Sequence, residues 1–312
     1  MSAIALTFPG QGSQSIGMLA GLAESFGLVQ QTFEEASDAL GVNLWALTQQ
    51  GPVEELNRTQ NTQPAMLAAG IAVWRVWNEQ GGVAPKMLAG HSLGEYSAMV
   101  AAGVIGFDDA IKLVAERGRL MQEAVPQGVG AMAAILGLSD EQVRDVCAKA
   151  AQDEVASAVN FNSPGQVVIA GNASAIARAV ELAKEAGAKR ALPLDVSVPS
   201  HCSLMQGAAD QLFAQMQSMT FAKPQIPVIQ NVNVASSEDV DQIKTLLKEQ
   251  LYSPVRWVET IQTMAQSQVE AVIEAGPGKV LSGLCKRIDK QLTALPVFDG
   301  ASLEKALEAV HG

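Results

Sequence analysis

Short apolar runs alternate with longer amphipathic segments along most of this chain. The runs at residues 4–8, 86–90 and 269–274 have the length of buried strands, and glycine-containing loops follow them. Strands that alternate with helices are typical of a parallel sheet covered by helices. The pattern therefore predicts an α/β fold. The amphipathic helical patterns span residues 63–79, 94–102, 108–123 and 239–251.

A different order of elements occupies the middle of the chain. Strand and helix patterns there follow the order βαββαβ, which is ferredoxin-like. We therefore predict a small domain at residues 126–195, inserted into a larger domain formed by residues 1–125 and 196–312. The predicted strands span 131–136, 156–161, 166–170 and 189–194, and the predicted helices begin at Ser139 and Ser174.

Composition narrows the function classes. Hydrophobic residues make up 48% of the 312 residues and charged residues 17%, so the chain can bury a large core. Its net charge of −11 and its aromatic content of 4% argue against a nucleic-acid-binding surface, which needs basic residues and stacking platforms. We expect no nucleic-acid partner.

Neither a signal peptide nor a membrane span is expected. The first residues lack a basic region, and no apolar run approaches the roughly 18 residues that a membrane span needs. Cys147, Cys202 and Cys285 lie far apart, which predicts neither a disulfide framework nor a zinc site. We expect a soluble, cytoplasmic protein without a metal.

A candidate nucleophile is Ser92. Residues 90–94, with the sequence GHSLG, match the G-x-S-x-G pattern between a predicted strand and a predicted helix. This context exposes a serine on a sharp turn at a helix N-terminus, where free N–H groups stabilise developing negative charge. The alternative is an ordinary glycine-serine turn in an αβ unit.

The candidate base follows from the three histidines of the chain. His311 is the penultimate residue, and His91 adjoins Ser92 and should point elsewhere, in a packing or hydrogen-bonding role. His201 therefore remains as the base that a serine nucleophile requires. No acid stands out as a third member: Asp195 is nearest in sequence, but nothing selects it, so an amide or a backbone carbonyl is expected to orient His201.

Arg117 and two asparagines are candidate contacts to a substrate. Arg117 shares an otherwise apolar helix face with Leu120 and Met121, so it must pair with an internal carboxylate or bind the carboxylate of a substrate. Asn160 and Asn162 lie at the end of a predicted strand and are candidates for the rim of a cleft.

Five motifs in order along the chain resemble those of the malonyl-CoA:acyl-carrier-protein transacylases of bacterial dissociated fatty-acid synthesis. The resemblance covers essentially the whole length, and five ordered motifs together are highly specific. The motifs are residues 9–14 (PGQGSQ), 90–96 (GHSLGEY), Arg117 and Gly118 with Met121, 197–201 (SVPSH) and 274–278 (EAGPG).

This resemblance implies a fold and a reaction. The fold is an α/β-hydrolase-like core with an inserted ferredoxin-like domain, in agreement with the pattern above. The reaction is ping-pong transfer of malonyl from malonyl-CoA, through a malonyl-serine, to the phosphopantetheine thiol of acyl carrier protein, without a cofactor and by a monomer. The implied roles are Ser92 as nucleophile, His201 as base, the Gln250 carbonyl as its orienting group, Arg117 for the malonyl carboxylate, and the Gln11 and Leu93 N–H groups as the oxyanion hole.

Three alternatives remain open at this point. A serine esterase or thioesterase has the same turn but resolves the acyl-enzyme with water. A non-catalytic acyl-binding scaffold would not be acylated at Ser92. The malonyl transferase of a malonate decarboxylase differs in its carrier protein, which the sequence does not specify.

Two basic clusters are candidate docking sites for an acidic carrier protein and for coenzyme A phosphates. Lys189 and Arg190 precede the segment that leads to His201. Lys286, Arg287 and Lys290 are predicted on one face of the helix that follows residues 276–278, and the two clusters are predicted to flank the mouth of the cleft. The alternative is a solvated face that serves solubility alone.

Overall fold

Two separate β-sheets organise the chain in a computed structural model, which describes residues 3–126, 128–194, 196 and 198–311. One sheet has five strands and the other has four. The strands are β1 (Ile4–Phe8), β2 (Met87–Gly90), β3 (Gly130–Leu136), β4 (Ala156–Ser163), β5 (Gln166–Asn172), β6 (Arg190–Pro193), β7 (Val228–Ile229), β8 (Ala271–Ala275) and β9 (Thr293–Val297).

Helices surround both sheets. In the described part of the chain, no helix is both long and apolar enough to span a membrane. The helices are α1 (Ala20–Ser25), α2 (Leu28–Leu40), α3 (Leu44–Gln50), α4 (Val53–Leu56), α5 (Thr59–Glu79), α6 (Gly94–Ala101), α7 (Phe107–Ala124), α8 (Asp140–Ala151), α9 (Ala173–Glu185), α10 (Gln206–Gln217), α11 (Val240–Gln250), α12 (Trp257–Gln266), α13 (Val280–Ile288) and α14 (Gly300–His311).

The five-stranded sheet is parallel, in the order β7-β2-β1-β8-β9. Every residue of β1 is buried: Leu6 and Phe8 belong to one apolar cluster, and Ala5 belongs to a second cluster. Because successive side chains of a strand point to opposite faces, both faces of the sheet are covered. Strands that are covered on both faces have continuous apolar sequences, as β1 does. The α/β prediction is confirmed.

The carboxyl ends of β1 and β2 lie side by side. Phe8 is in register with Gly90, and the His91 N–H donates to Phe8 O at 3.0 Å. The loops that leave these strands, 9–14 and 91–93, are therefore neighbours. Ligands of open α/β sheets bind beyond the carboxyl ends of the strands, so this edge is the expected place of a site.

The four-stranded sheet is antiparallel, in the order β4-β5-β3-β6, and forms a ferredoxin-like unit as predicted. On one face, Ile135 packs with Val146 of α8 and Ile176 of α9. On the other face, Met132 and Val168 pack in one cluster with Cys202 of the larger domain. The small domain thus covers part of the larger one with an apolar sheet face.

Backbone hydrogen bonds also join the two domains. The Phe161 N–H donates to Val255 O at 3.0 Å, and the Val255 N–H donates to Val159 O at 2.8 Å. These bonds fix the end of β4 beside the larger domain. We propose residues 126–195 as the bounds of the small domain because its sheet lies within them; Gln127 and Asp195 fall outside the described residues.

The start of α5 and the end of β4 differ from those predicted. Helix α5 begins at Thr59, four residues before the predicted start, with Pro64 inside it. Proline favours the first turn of a helix, whereas Pro64 lies five residues after the first residue of α5. Strand β4 continues to Ser163, so the predicted four-residue turn is shortened to two residues.

The prediction that Lys290 shares a helix face with Lys286 and Arg287 is wrong. Helix α13 ends at Ile288, and Asp289 has an extended backbone with φ −140°. The Asp289 carboxylate accepts the N–H of residue 291 at 2.8 Å. A side chain that bonds the backbone two residues on favours a turn over a helix, which places Lys290 outside the helix.

Candidate active site

Ser92 stands on a sharp turn between β2 and α6. Its backbone has φ 52°, in the left-handed region that side chains rarely adopt. A Cβ on Gly90 would lie 1.8 Å from Gly94 C, and a Cβ on Gly94 would lie 2.0 Å from Phe8 O. Glycine is therefore required on both sides of Ser92, because the turn brings backbone against backbone.

The Ser92 hydroxyl meets the imidazole of His201. Ser92 Oγ lies 2.7 Å from His201 Nε2, and His201 Nδ1 lies 2.7 Å from the main-chain O of Gln250. Because a carbonyl only accepts, Nδ1 carries the proton and Nε2 presents its lone pair to Ser92. Burial, followed by the charge of Arg117, lowers the pKa of His201 to about 3, so the ring is neutral near pH 7.

The N–H of Ser92 is already occupied. It donates to Asn231 Oδ1 at 2.8 Å, and Asn231 Nδ2 donates to Gly90 O at 2.7 Å. In the described part of the chain, the N–H groups of Gln11 and Leu93 have no acceptor. These two groups are therefore open to an oxyanion, whereas the N–H of Ser92 is not.

Arg117 is buried, with 1% of its surface exposed, and amides hold it. Nη1 donates to Gln63 Oε1 at 2.9 Å, Nη2 donates to Gln250 Oε1 at 2.9 Å, and Nη2 lies 3.5 Å from Ser92 Oγ. Arg117 forms no ion pair with a carboxylate in the described residues, so its alternative role as half of an internal ion pair is wrong. Its Nε is buried and has no partner there.

The pocket around these groups has a volume of about 580 Å³. Ser92, His201 and Arg117 line it from the larger domain, while Asn160 and Asn162 line it from β4, as predicted for the rim of a cleft. No cluster of three His, Cys, Asp or Glu side chains suited to a metal ion occurs within the described ranges. The pocket therefore brings a serine, a neutral imidazole and a buried guanidinium together.

His91 connects the two domains at the pocket wall. Its Nε2 donates to Asn162 Oδ1 at 2.8 Å, and its ring centroid lies 5.4 Å from that of Trp257. Burial lowers the pKa of His91, so its ring is neutral near pH 7. The hydrogen-bonding role predicted for His91 is present in the structure.

None of the predicted docking residues lines the pocket, but four of them are close to one another. Arg287 Nη1 donates to Gln166 Oε1 at 2.8 Å, across the domain boundary. Leu136 is in register with both Gln166 and Arg190, so two strand spacings, about 10 Å, separate these two residues. Lys189, Arg190, Lys286 and Arg287 are exposed at this end of the small sheet, and we call them the basic edge.

Sequence reasoning missed several buried amide and carboxyl groups. Asn231 follows β7, whose two residues give too short an apolar run to predict a strand. Gln63 and Glu95 lie within predicted helices, where each looks like an ordinary helix residue. Their contacts with the site arise from the packing of distant segments, for which the sequence carries no periodic signal.

Comparisons with known proteins agree with this geometry. Residues 6–298 match the acyl transferase domain family. A curated malonyl CoA-acyl carrier protein transacylase of Escherichia coli K12 is 57% identical over 308 residues, which cover 99% of this chain and 100% of that protein. The corresponding protein of Bacillus subtilis is 46% identical, over 99% of this chain and 98% of that protein.

Solved structures give the same result. An acyl carrier protein S-malonyltransferase of Vibrio cholerae is 61% identical, with a TM-score of 0.95 over 97% of this chain and 99% of that chain. A malonyl-transacylase in complex with its type II PKS acyl-carrier protein is 57% identical, with a TM-score of 0.98 over 99% of this chain and 100% of that chain. The chain therefore belongs to the acyl transferase family, among the malonyl-CoA:acyl-carrier-protein transacylases that its motifs resemble.

Proposed function

We propose that the protein transfers malonyl from malonyl-CoA to the phosphopantetheine thiol of an acyl carrier protein. One observation carries the proposal: a buried guanidinium, Arg117, lies 3.5 Å from the hydroxyl of the activated Ser92. An acyl group on that serine therefore has a cation beside it, which suits an acyl chain that ends in a carboxylate. The transacylase relatives at 46–57% identity support the same donor.

The first half-reaction acylates Ser92. Its Oγ attacks the thioester carbonyl while the hydroxyl proton moves to His201 Nε2, and the Gln250 carbonyl supports the imidazolium that forms. The tetrahedral oxyanion accepts hydrogen bonds from the Gln11 and Leu93 N–H groups. The C–S bond then breaks, the coenzyme A thiolate leaves, and His201 returns the proton to it.

The second half-reaction reverses these steps with another thiol. His201 takes the proton of the phosphopantetheine thiol, whose sulfur attacks the malonyl-Ser92 ester. The C–O bond of the ester breaks, and Ser92 Oγ recovers its proton from His201. No cofactor enters either half-reaction, and the kinetics are ping-pong.

Transfer rather than hydrolysis is the expected fate of the acyl-enzyme. We expect malonyl-CoA to be consumed rapidly only when a holo acyl carrier protein is present, with malonyl appearing on the carrier. Mass spectrometry of the carrier and a free-thiol assay measure the two products. Rapid release of free malonate without carrier would instead identify a thioesterase. Testing several carriers, including that of a malonate decarboxylase, identifies the acceptor.

The place of action and the oligomeric state are also proposals. We propose a monomer, in which Ser92, His201 and Arg117 come together within one chain. The three cysteines are buried free thiols, in keeping with a reducing cytoplasm, where we place the protein.

We propose that the basic edge attracts the acidic carrier protein. Gln166, which contacts Arg287, lies two residues before the pocket-lining Val168 on the same strand, about 7 Å along β5. Alternate residues of a strand share a face, so the basic edge adjoins the pocket side of the small sheet. A positive surface there raises the association rate with an acidic partner.

Charge reversal tests this surface. In Arg287→Glu and Arg190→Glu, we expect KM for the carrier to rise about three- to ten-fold at low ionic strength, because steering by opposite charges is lost. Malonyl loading of Ser92 should change little in Arg287→Glu. Lys305→Glu, on the exposed side of α14, makes the same charge change and is the control. Unchanged carrier kinetics in both variants would place docking elsewhere.

A further inference from the structure

Glu95 is a buried carboxyl group for which the reaction has no use. It lies in the first turn of α6, three residues after Ser92, and none of its surface is exposed. Its Oε2 accepts from Gln250 Nε2 at 2.8 Å and from the Asn231 N–H at 3.1 Å. Burial raises the pKa of Glu95 to about 7, and these two hydrogen bonds, followed by the charge of Arg117, oppose that rise. Burial of a carboxyl group destabilises the folded protein unless other contacts compensate, so the contacts of Glu95 point to a role in the site.

The side-chain amide of Gln250 lies between Glu95 and Arg117. Its nitrogen donates to Glu95 Oε2 at 2.8 Å and to Ser92 O at 2.9 Å. Its oxygen accepts from Arg117 Nη2 at 2.9 Å. The amide of Gln250 therefore connects Glu95 to Arg117, although the carboxyl group and the guanidinium do not contact each other directly.

The chemistry of the three groups permits one orientation of this amide. A carboxylate only accepts hydrogen bonds and a guanidinium only donates them, whereas an amide has one end of each kind. With its nitrogen towards Glu95, the oxygen of Gln250 must face Arg117. The reversed amide would set two acceptors against each other at Glu95 and two donors against each other at Arg117.

Because the amide of Gln250 separates Glu95 from Arg117, the guanidinium is not paired with that carboxylate. A carboxylate in direct contact would take two donors of the guanidinium in a bidentate pair. Held by amide oxygens instead, Arg117 has no carboxylate partner in the described part of the chain, and its Nη2 lies 3.5 Å from Ser92 Oγ. A carboxylate that enters the pocket therefore meets a cation that is fixed in place but incompletely paired.

We propose that Glu95 is a positioning residue for donor specificity: through the amide of Gln250, it holds Arg117 in place while its own carboxylate stays away from the guanidinium. The proposal rests on the proposed binding of the malonyl carboxylate by Arg117. Glu95 acts on the substrate only through Gln250 and Arg117.

An exchange of the two side chains tests this arrangement. Glu95→Gln combined with Gln250→Glu keeps the volume and the net charge but sets a carboxylate directly against Arg117. The main-chain carbonyl of residue 250 remains available to His201. Glu95→Gln alone is the matched control, since an amide oxygen at residue 95 still accepts from Gln250 and Asn231, and Glu95 Oε1 has no hydrogen-bond partner in the described residues.

The readout is the ratio of malonyl to acetyl loading on Ser92, measured by intact mass in single-turnover experiments with each acyl-CoA. In the exchanged variant we expect this ratio to fall about ten-fold below that of Glu95→Gln, because the new carboxylate competes for Arg117. The loss should appear in KM for malonyl-CoA. In an Arg117→Ala background, the exchange should no longer change the ratio.

Equal ratios in the exchanged variant and in Glu95→Gln would overturn the proposal. If the exchanged variant does not fold, Glu95→Met keeps the volume and removes the acceptor, and its ratio should fall about five-fold or more below that of Glu95→Gln. Equal ratios of malonyl to acetyl loading in Glu95→Met and Glu95→Gln would then overturn the proposal. If Arg117→Ala alone keeps the malonyl preference of the wild type, the proposed role of Arg117 fails instead, whatever Glu95 does.

Discussion

Replacement of Ser92 by alanine is expected to abolish malonyl loading and to lower transfer to the carrier protein by about 10⁴-fold or more. The reason is that Ser92 Oγ is the hydroxyl that His201 Nε2 contacts, at 2.7 Å, and the group that would carry the acyl chain. Intact mass after incubation with malonyl-CoA should show one adduct on the wild type and none on Ser92→Ala. An adduct on that variant would contradict the assignment of the nucleophile.

His201→Ala should cause a loss of similar size, and the double variant should lose little more, since the two residues act as a unit. Ser200→Ala is the matched control. Ser200 also lines the pocket, but within the described residues its hydroxyl donates only to Val198 O, at 3.5 Å. We expect near-normal loading in that variant. If the losses from Ser92→Ala and His201→Ala were instead multiplicative, the two residues would act in separate steps.

The turn at Ser92 shows how far a sequence can predict a site. Gly90 and Gly94 flank the serine in a pattern that already implies close backbone contact, and the structure places their missing Cβ atoms about 2 Å from backbone atoms. His201 could be identified because the chain offers few histidines. Both inferences depend on residue types that have few other structural roles in such a sequence context.

The amides around Ser92 and Arg117 could not be predicted in this way. Gln63, Asn231 and the side chain of Gln250 come from three separate segments, and each looks like a common polar residue in its own segment. Only the packing of α5, α7 and α11 around the five-stranded sheet brings them together. Periodicity reports which face of a helix is buried, but not which buried polar groups meet.

Replacement of Arg117 by alanine is expected to lower the rate of malonyl loading roughly 10- to 150-fold, which corresponds to about 1.5–3 kcal/mol, the value of a hydrogen bond to a charged group. Arg117 Nη2 lies 3.5 Å from Ser92 Oγ, and the guanidinium has amide partners but no carboxylate partner in the described residues, so a malonyl carboxylate supplies an ion pair that the protein itself does not. Acetyl-CoA lacks that carboxylate and leaves the buried cation incompletely paired. Loading from acetyl-CoA should therefore be preserved, or improve, in the variant.

Arg119→Ala is the matched control for this prediction. Arg119 lies two residues further along α7, where it pairs at the surface with Glu116 and Glu123. Exposed ion pairs contribute little, so both donors should load at near-normal rates in that variant. Thermal unfolding of each variant separates a loss of stability from a loss of specificity. If Arg117→Ala lowered loading from malonyl-CoA and acetyl-CoA equally, Arg117 would support the fold of the site, and the preference for malonyl would have to come from another group in the pocket.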